Sequence, residues 1–255
     1  MFMKQMKFFL VALMAVVMSV SVTSCMNGDN ESAYDLGVYA TVVDDITSVT
    51  LIGDDGNVYY PENASALKPV TETSYPKRVF AFLKYSEGIT SSSAKKIVKI
   101  VDSSSLYTRS LCMQPDTIKN DIPLAGLSDF GLLNSMTTST YNNIPAYCNV
   151  LFKVRIDNSA TVIDLVPVTA SGNELTVKLQ QTVGNENASY ETTAYASFNL
   201  PSVSEINSAL ARATEGDAEA PVLTADSEGK IKIKVIGVGR GNQSYALPAK
   251  EVKIN

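Results

Sequence analysis

The chain has 255 residues, 45% of them hydrophobic, and carries 21 basic against 26 acidic side chains, a formal charge of −5. That length suits one large or two ordinary domains behind a leader, and the apolar content is too high for a disordered chain. There is no histidine, no tryptophan and only three cysteines, so triad-type serine or cysteine hydrolysis in its usual form and cysteine-built zinc sites lack their parts.

The N-terminus sets the address. Lys4 and Lys7 precede an apolar run of 13 residues, Phe8 to Val20, and small or polar residues follow. This is the layout of a secretory signal peptide, here 1–24, and it falls short of the ~20 apolar residues of a permanent span. Val22-Thr23-Ser24-Cys25 resembles the bacterial lipobox. The resemblance implies a diacylglyceryl group on the Cys25 sulfur and cleavage just before it; an ordinary secretory signal or an uncleaved anchor helix are the alternatives. Thioether-linked and N-terminal acyl chains such as palmitate would anchor stably, at about 0.8 kcal/mol per buried CH₂.

Residues 25–35 then read as a lipidated, solvated tether. Met26 stands where an inner-membrane-retained lipoprotein would often carry Asp, so the expected location is the outer membrane, on either face. Loss of Lys4 and Lys7 with the leader leaves 19 basic against 26 acidic side chains, or −7. Such a chain is a poor partner for nucleic acid. With no histidine or thiol cluster, no metal or other cofactor is expected.

From Val38 the texture is β. The stretches Val38 to Val43, Val49 to Ile52 and Val58 to Tyr60 alternate with turns. Gly53-Asp54-Asp55-Gly56-Asn57 reads as a hairpin connection, because its acids lack the alternating spacing and distal glutamate of a calcium loop. Arg78 to Tyr85 (RVFAFLKY) is apolar on both faces near its middle, as a central strand would be. Lys95 to Val101 and Leu106 to Cys112 continue the series. Five or six short strands without a long helix point to a small barrel.

Ser128 to Pro145 is rich in Ser, Thr and Asn and breaks the pattern. Beyond it Cys148, Val150, Phe152, Val154 and Ile156 alternate with polar residues, as in a half-buried antiparallel strand. Cys112 and Cys148 could bridge in an oxidising compartment; the phase of Cys148 favours a buried free thiol. Thr161 to Val168, Glu174 to Val183 and Ser189 to Leu200 are further strands. Val203, Ile206, Leu210 and Ala213 repeat at helical steps, and 214–221 is an acidic loop. Gly229 to Gly239 is a strand whose lysines suit a solvent face, and EVKIN closes the chain. Gly237, Gly239 and Gly241 precede no helix, so they read as a turn and not as a phosphate loop. These strands argue a β-sandwich.

Together, the lipobox, the stretch YATVVDDITSVTLIGDDGNVYYPEN (Tyr39 to Asn63) and RVFAFLKY resemble the NigD-like lipoproteins. The resemblance implies a barrel of the oligonucleotide/oligosaccharide-binding (OB) type followed by a sandwich. The expected fold is therefore all-β, an OB-like barrel over 36–127, a linker over 128–145 and an antiparallel sandwich over 146–255. Asp116-Thr117-Ile118 resembles the Asp-Ser/Thr-aliphatic sequon for O-glycosylation in related bacteria, which makes Thr117 a candidate site; such tripeptides also arise by chance.

The function expected is a lipid-anchored envelope binding protein without catalytic residues. Its partners would be the membrane, through Cys25, and an envelope or extracellular protein or glycan. The alternatives are a bacteriocin-linked accessory or immunity lipoprotein, implied by the family, and a carboxylate-dependent glycan hydrolase, which composition permits. Because most acids fall in turns such as Asp54-Asp55, they read as a solvated surface.

Overall fold

A computed structural model describes residues 33–45, 47–69, 72–118, 120–133, 144–157, 160–185, 187–214 and 219–254. The signal peptide and Cys25 lie outside the described residues. Among those described, no helix is long and apolar enough to cross a membrane. The chain divides into two compact units between Tyr107 and Thr108.

The first unit is a closed barrel. Its strands are β1 (Leu36–Asp45), β2 (Ser48–Gly53), β3 (Val58–Pro61), β4 (Arg78–Tyr85) and β5 (Lys96–Ser105). They close in the order β1-β2-β3-β5-β4. All pairs are antiparallel except β3 with β5. Alternation turns Val38, Ala40, Leu51, Tyr59, Val79, Ala81, Leu83, Val98 and Ile100 inward as one apolar cluster. A 3-10 turn, Ala64–Leu67, adds Leu67 to that cluster. Asn63 fixes the turn to β5: its amide nitrogen donates to the Ile100 carbonyl (2.9 Å) and its oxygen accepts from the Ile100 N–H (2.8 Å). A side-chain amide there replaces a peptide group of the ladder.

Among the described residues, the second unit holds two sheets and one α-helix. Strands β6 (Tyr107–Ser110), β7 (Gly126–Leu133), β8 (Ala146–Ile156) and β11 (Tyr190–Leu200) form a sheet in the order β6-β11-β8-β7. Strands β9 (Val162–Ser171), β10 (Glu174–Val183), β12 (Lys230–Val238) and β13 (Ser244–Ala246) form the other, in the order β13-β12-β10-β9, with β14 (Lys250–Lys253) also paired to β12. Cys148, Val150, Phe152 and Val154 of β8 face the same way as Ala194, Ala196 and Phe198 of β11, all buried. The helix α1 (Val203–Ala213) packs on β9 and buries Ile206, Ala209 and Leu210. Its start is fixed by a capping box: Ser202 accepts from the Glu205 N–H, and the Glu205 carboxylate accepts from the Ser202 N–H.

Three expectations differ from this architecture. Leu106 to Cys112 supplies β6 of the second unit, and not a barrel strand. The segment 128–145 is not simply a linker, because Gly126–Leu133 pairs along β8. A bulge between Leu127 and Asp129 shifts the register there and hides the two-residue period, while Phe130 and Leu133 are buried. Residues 134–143 lie outside the described residues, as do 215–218 of the acidic loop. The sandwich also contains one parallel pair, β10 with β12. The chain crosses to the other sheet for β11 and returns through α1, which brings β12 in along the direction of β10.

Candidate functional site

The outward face of β1 and β4 concentrates the aromatic side chains of the barrel. Register pairs Gly37 with Phe82, Tyr39 with Phe80 and Thr41 with Arg78, and alternation points these six away from the core. A Cβ on Gly37 would stand 3.0 Å from the Phe80 ring and 3.5 Å from that of Phe82. The missing side chain eases the close approach of the Phe80 ring to β1, while the Phe82 ring lies at ordinary contact distance. Tyr34, just before β1, packs against Phe82 with centroids 4.3 Å apart; Tyr39 and Phe80 are 4.8 Å apart, and Phe80 meets Phe82 edge-on at 5.0 Å. The result is a continuous, half-exposed row of four rings. The rings are inclined by 45° to 81° to one another, so they present edges and partial faces rather than one flat stacking platform.

At its other end the same face carries charge. Arg78 is entirely buried although it points outward. Its guanidinium donates to both oxygens of Asp54 (2.6 and 2.7 Å) and to the Thr41 hydroxyl (3.1 Å). The fork geometry matches a carboxylate and makes a charge-assisted pair. Asp54 is held in place by its own N–H, which donates to the Tyr39 carbonyl at 2.8 Å. Burial and the nearby Asp54 carboxylate push the Tyr39 phenol up.

Asp55, the next residue, works on the other side of the turn. It accepts from the Asn57 N–H (3.0 Å), the Asn57 side-chain amide (2.9 Å) and the Tyr59 hydroxyl (2.6 Å). Burial opposes its ionisation, but the bonds from Tyr59 and Asn57 prevail and hold its carboxyl below the usual range. The turn closes as expected through Gly56 at φ 81°. Its acids do more than face water: Asp55 is exposed and Asp54 partly so, yet each also holds a barrel side chain, Tyr59 and Arg78 respectively.

In the second unit Asp164, 7% exposed, accepts from Arg109 Nε at 3.0 Å and from the Thr182 hydroxyl at 2.5 Å. Asn149 and Ser197, paired across β8 and β11, bond at 2.7 Å inside the protein. Cys112 and Cys148 are both free thiols. Burial pushes Cys148 up to about 12, and burial is also the first reason that Cys112 lies above its usual value. Thr117 is exposed at the end of a 3-10 turn, Pro115–Thr117, where its hydroxyl donates to the Gln114 carbonyl at 2.7 Å. The glycines after β12 make the turn Arg240–Asn242, with Gly241 at φ 65°, and lead into β13. Among the described residues, no group of three or more acids and thiols is arranged to hold a metal ion.

Sequence reasoning identified the strands that carry the aromatic row but missed Arg78 and Asp54 as a pair. A basic residue opening an otherwise apolar strand was the available signal. The Gly37–Phe82 juxtaposition depends on strand register, for which the sequence had none.

No protein-family model matches the sequence, and no curated protein matches it. Solved structures align with it. A protein described as toxin related, from Parabacteroides distasonis, superposes with a TM-score of 0.52 at 14% identity, over 84% of this chain and 92% of that one. A NigD-like immunity protein from Bacteroides caccae gives 0.49 at 16% identity, over 86% and 94%. A protein described as a lipoprotein, from Bacteroides fragilis, gives 0.48 at 13% identity, over 86% and 97%. The Parabacteroides distasonis likeness extends to both units and establishes the fold as a shared one; at such identities it carries no residue roles.

Proposed function

We propose that this chain is a lipid-anchored binding protein of the bacterial cell envelope, of NigD-like type, that performs no catalysis. The observation that carries this reading is how the carboxylates are used. Acid–base hydrolysis needs two carboxyl groups whose surroundings push their pKa values apart across a gap that admits substrate. Here Asp54 is engaged by buried Arg78, Asp55 by Tyr59 and Asn57, and Asp164 by Arg109 and Thr182. These groups build a scaffold. Asp129 likewise sits below its usual range because Lys250 hydrogen-bonds it.

The anchor in this reading is the thioether at Cys25, supported by the lipobox pattern Val22-Thr23-Ser24-Cys25. Met26 favours sorting to the outer membrane. Tethering holds the units at high local concentration beside the envelope, so weak contacts with a protein or glycan suffice for residence. The charge of −7 argues against nucleic acid as that partner.

The test has two arms. Cys25→Ala should abolish palmitate labelling and leave unprocessed precursor; a mutant that matures to the same mass and stays with the membrane refutes the anchor. The mature protein should show no turnover on glycan, ester, peptide or phosphate substrates while binding an envelope component saturably. Hydrolysis that disappears on changing a single Asp or Glu would instead establish the carboxylate hydrolase.

A further inference from the structure

The aromatic row lies where the chain leaves its anchor. Eight residues, 26–33, separate Cys25 from Tyr34, and even fully extended they span less than roughly 30 Å. Tyr34 is the first ring after them and packs directly against Phe82, tilted by 45°. The lipid-bearing end of the chain therefore emerges beside the half-exposed apolar face of the barrel, and not at the β1–β2 hairpin on the other end of β1.

The surroundings of the row have the composition of a membrane-interface surface. Val101, 45% exposed, is the extra residue of the β-bulge opposite Phe82 and Leu83. Lys84 and Lys99 face each other across β4 and β5 just beyond it. Aromatic rings settle at the boundary between headgroups and acyl chains, and lysine stems lie along apolar surface while their ammonium groups stay in water. Asp102 is the register partner of Phe82 and Asp35 accepts from the Tyr85 N–H, so the rim is of mixed charge. Attraction to anionic lipid is accordingly not the basis of contact; ring burial is.

We propose that the face formed by Tyr34, Tyr39, Phe80, Phe82 and Val101 docks onto the headgroup–acyl boundary of the membrane that holds the Cys25 lipid, and so fixes the orientation of the barrel on that membrane. The proposal rests on the lipid anchor at Cys25. It assigns the bilayer, rather than a protein or a sugar, as the occupant of the aromatic row. The tilt of the rings suits shallow insertion among lipid chains, which have no fixed shape, better than stacking on a pyranose ring.

Photo-crosslinking in whole cells tests it on the full-length, processed chain. Benzoylphenylalanine replaces Val101 in one strain and Ser48 in another, and palmitate incorporation at Cys25 is measured in both. Ser48 opens β2 at the far end of the ten-residue β1, about 30 Å from Leu36. Expected are lipid adducts at Val101 at least severalfold above those at Ser48, unchanged in membranes washed with about 0.5 M salt, which screens surface charge. Tyr34→Ser, outside every strand, should lower the Val101 lipid yield severalfold. Equal yields at the two positions, adducts with a protein in place of lipid, or no effect of Tyr34→Ser would overturn the docking face. Palmitate label without lipid adducts overturns this face alone; absence of the label removes the anchor and the proposal together.

Discussion

Replacing Asp54 by Asn should destabilise the barrel out of proportion to its place in a turn. The substitution keeps the shape of the side chain but takes the Asp54 carboxylate charge away from the buried Arg78 guanidinium. Breaking a buried ion pair from one side costs about 3–5 kcal/mol. The side chain of Arg78 is 0% exposed and that of Asp54 25%, so water reaches one edge of the pair and the lower end, about 3 kcal/mol, applies. At 1.4 kcal/mol per decade that is roughly a hundredfold increase in the opening constant of the barrel. Hydrogen exchange followed by mass spectrometry on peptides covering Arg78–Tyr85 reads this opening locally, so the second unit does not enter the measurement. Asp44→Asn, an exposed acid on β1, is the control and should leave exchange near wild type. The double variant Asp54→Asn/Arg78→Met removes both charges and should recover most of the loss, because the penalty belongs to a buried cation deprived of the Asp54 charge. Exchange in Asp54→Asn within about threefold of Asp44→Asn would refute the assignment of Asp54 as the counter-ion that makes Arg78 tolerable.

Acid should act on the barrel through Asp55: its folded value is depressed, so its contribution is present above the unfolded value of about 3.9 and is lost as pH falls through the folded one. Asp55→Asn should flatten that part of the stability profile below about pH 4, and an unchanged acid limb would refute it. Cys112 should react with a thiol reagent before Cys148, which is fully buried with its pKa pushed up to about 12 and should label only on unfolding; equal labelling rates in the folded protein would contradict the described core. Thr117→Ala should remove a glycan mass from protein isolated from its own envelope, since the hydroxyl is exposed and gives up one bond to Gln114 on modification; an unshifted mass would mark Asp116-Thr117-Ile118 as a chance tripeptide.

The strands were legible where one face meets the core and the other meets water. Val38 to Val43, Cys148 to Ile156 and Gly229 to Gly239 show this alternation, and each is a strand. The helix at Val203–Ala213 was legible for the equivalent reason, its three- and four-residue steps. What differed was the boundary between the units, which falls between Tyr107 and Thr108. Leu106 to Cys112 has the same β texture whichever sheet it joins, and texture does not encode a partner. Gly126–Leu133 was obscured because its bulge breaks the two-residue period at the point where the eye looks for it.

The aromatic row and the Arg78 pair escaped for a different reason. An outward-facing position on a strand is ordinarily read as a position facing water, and a polar turn as a solvated one. In this barrel Thr41, Thr50, Ile52 and Arg78 are buried although the inward cluster is made by their neighbours. The outer surface of the barrel is therefore not one environment. One end of β1 and β4 is closed over a charge that Asp54 neutralises, and the other leaves four rings half exposed around Gly37. Period-2 alternation separates inside from outside, and register with the turn after β2 then decides which part of the outside is closed. That second step brings Asp54 to Arg78, and it leaves Phe82 open beside Tyr34. Substitutions at these two ends should accordingly be separable: changes at Asp54 or Arg78 act on stability, and changes at Tyr34 or Val101 act on where the folded barrel resides.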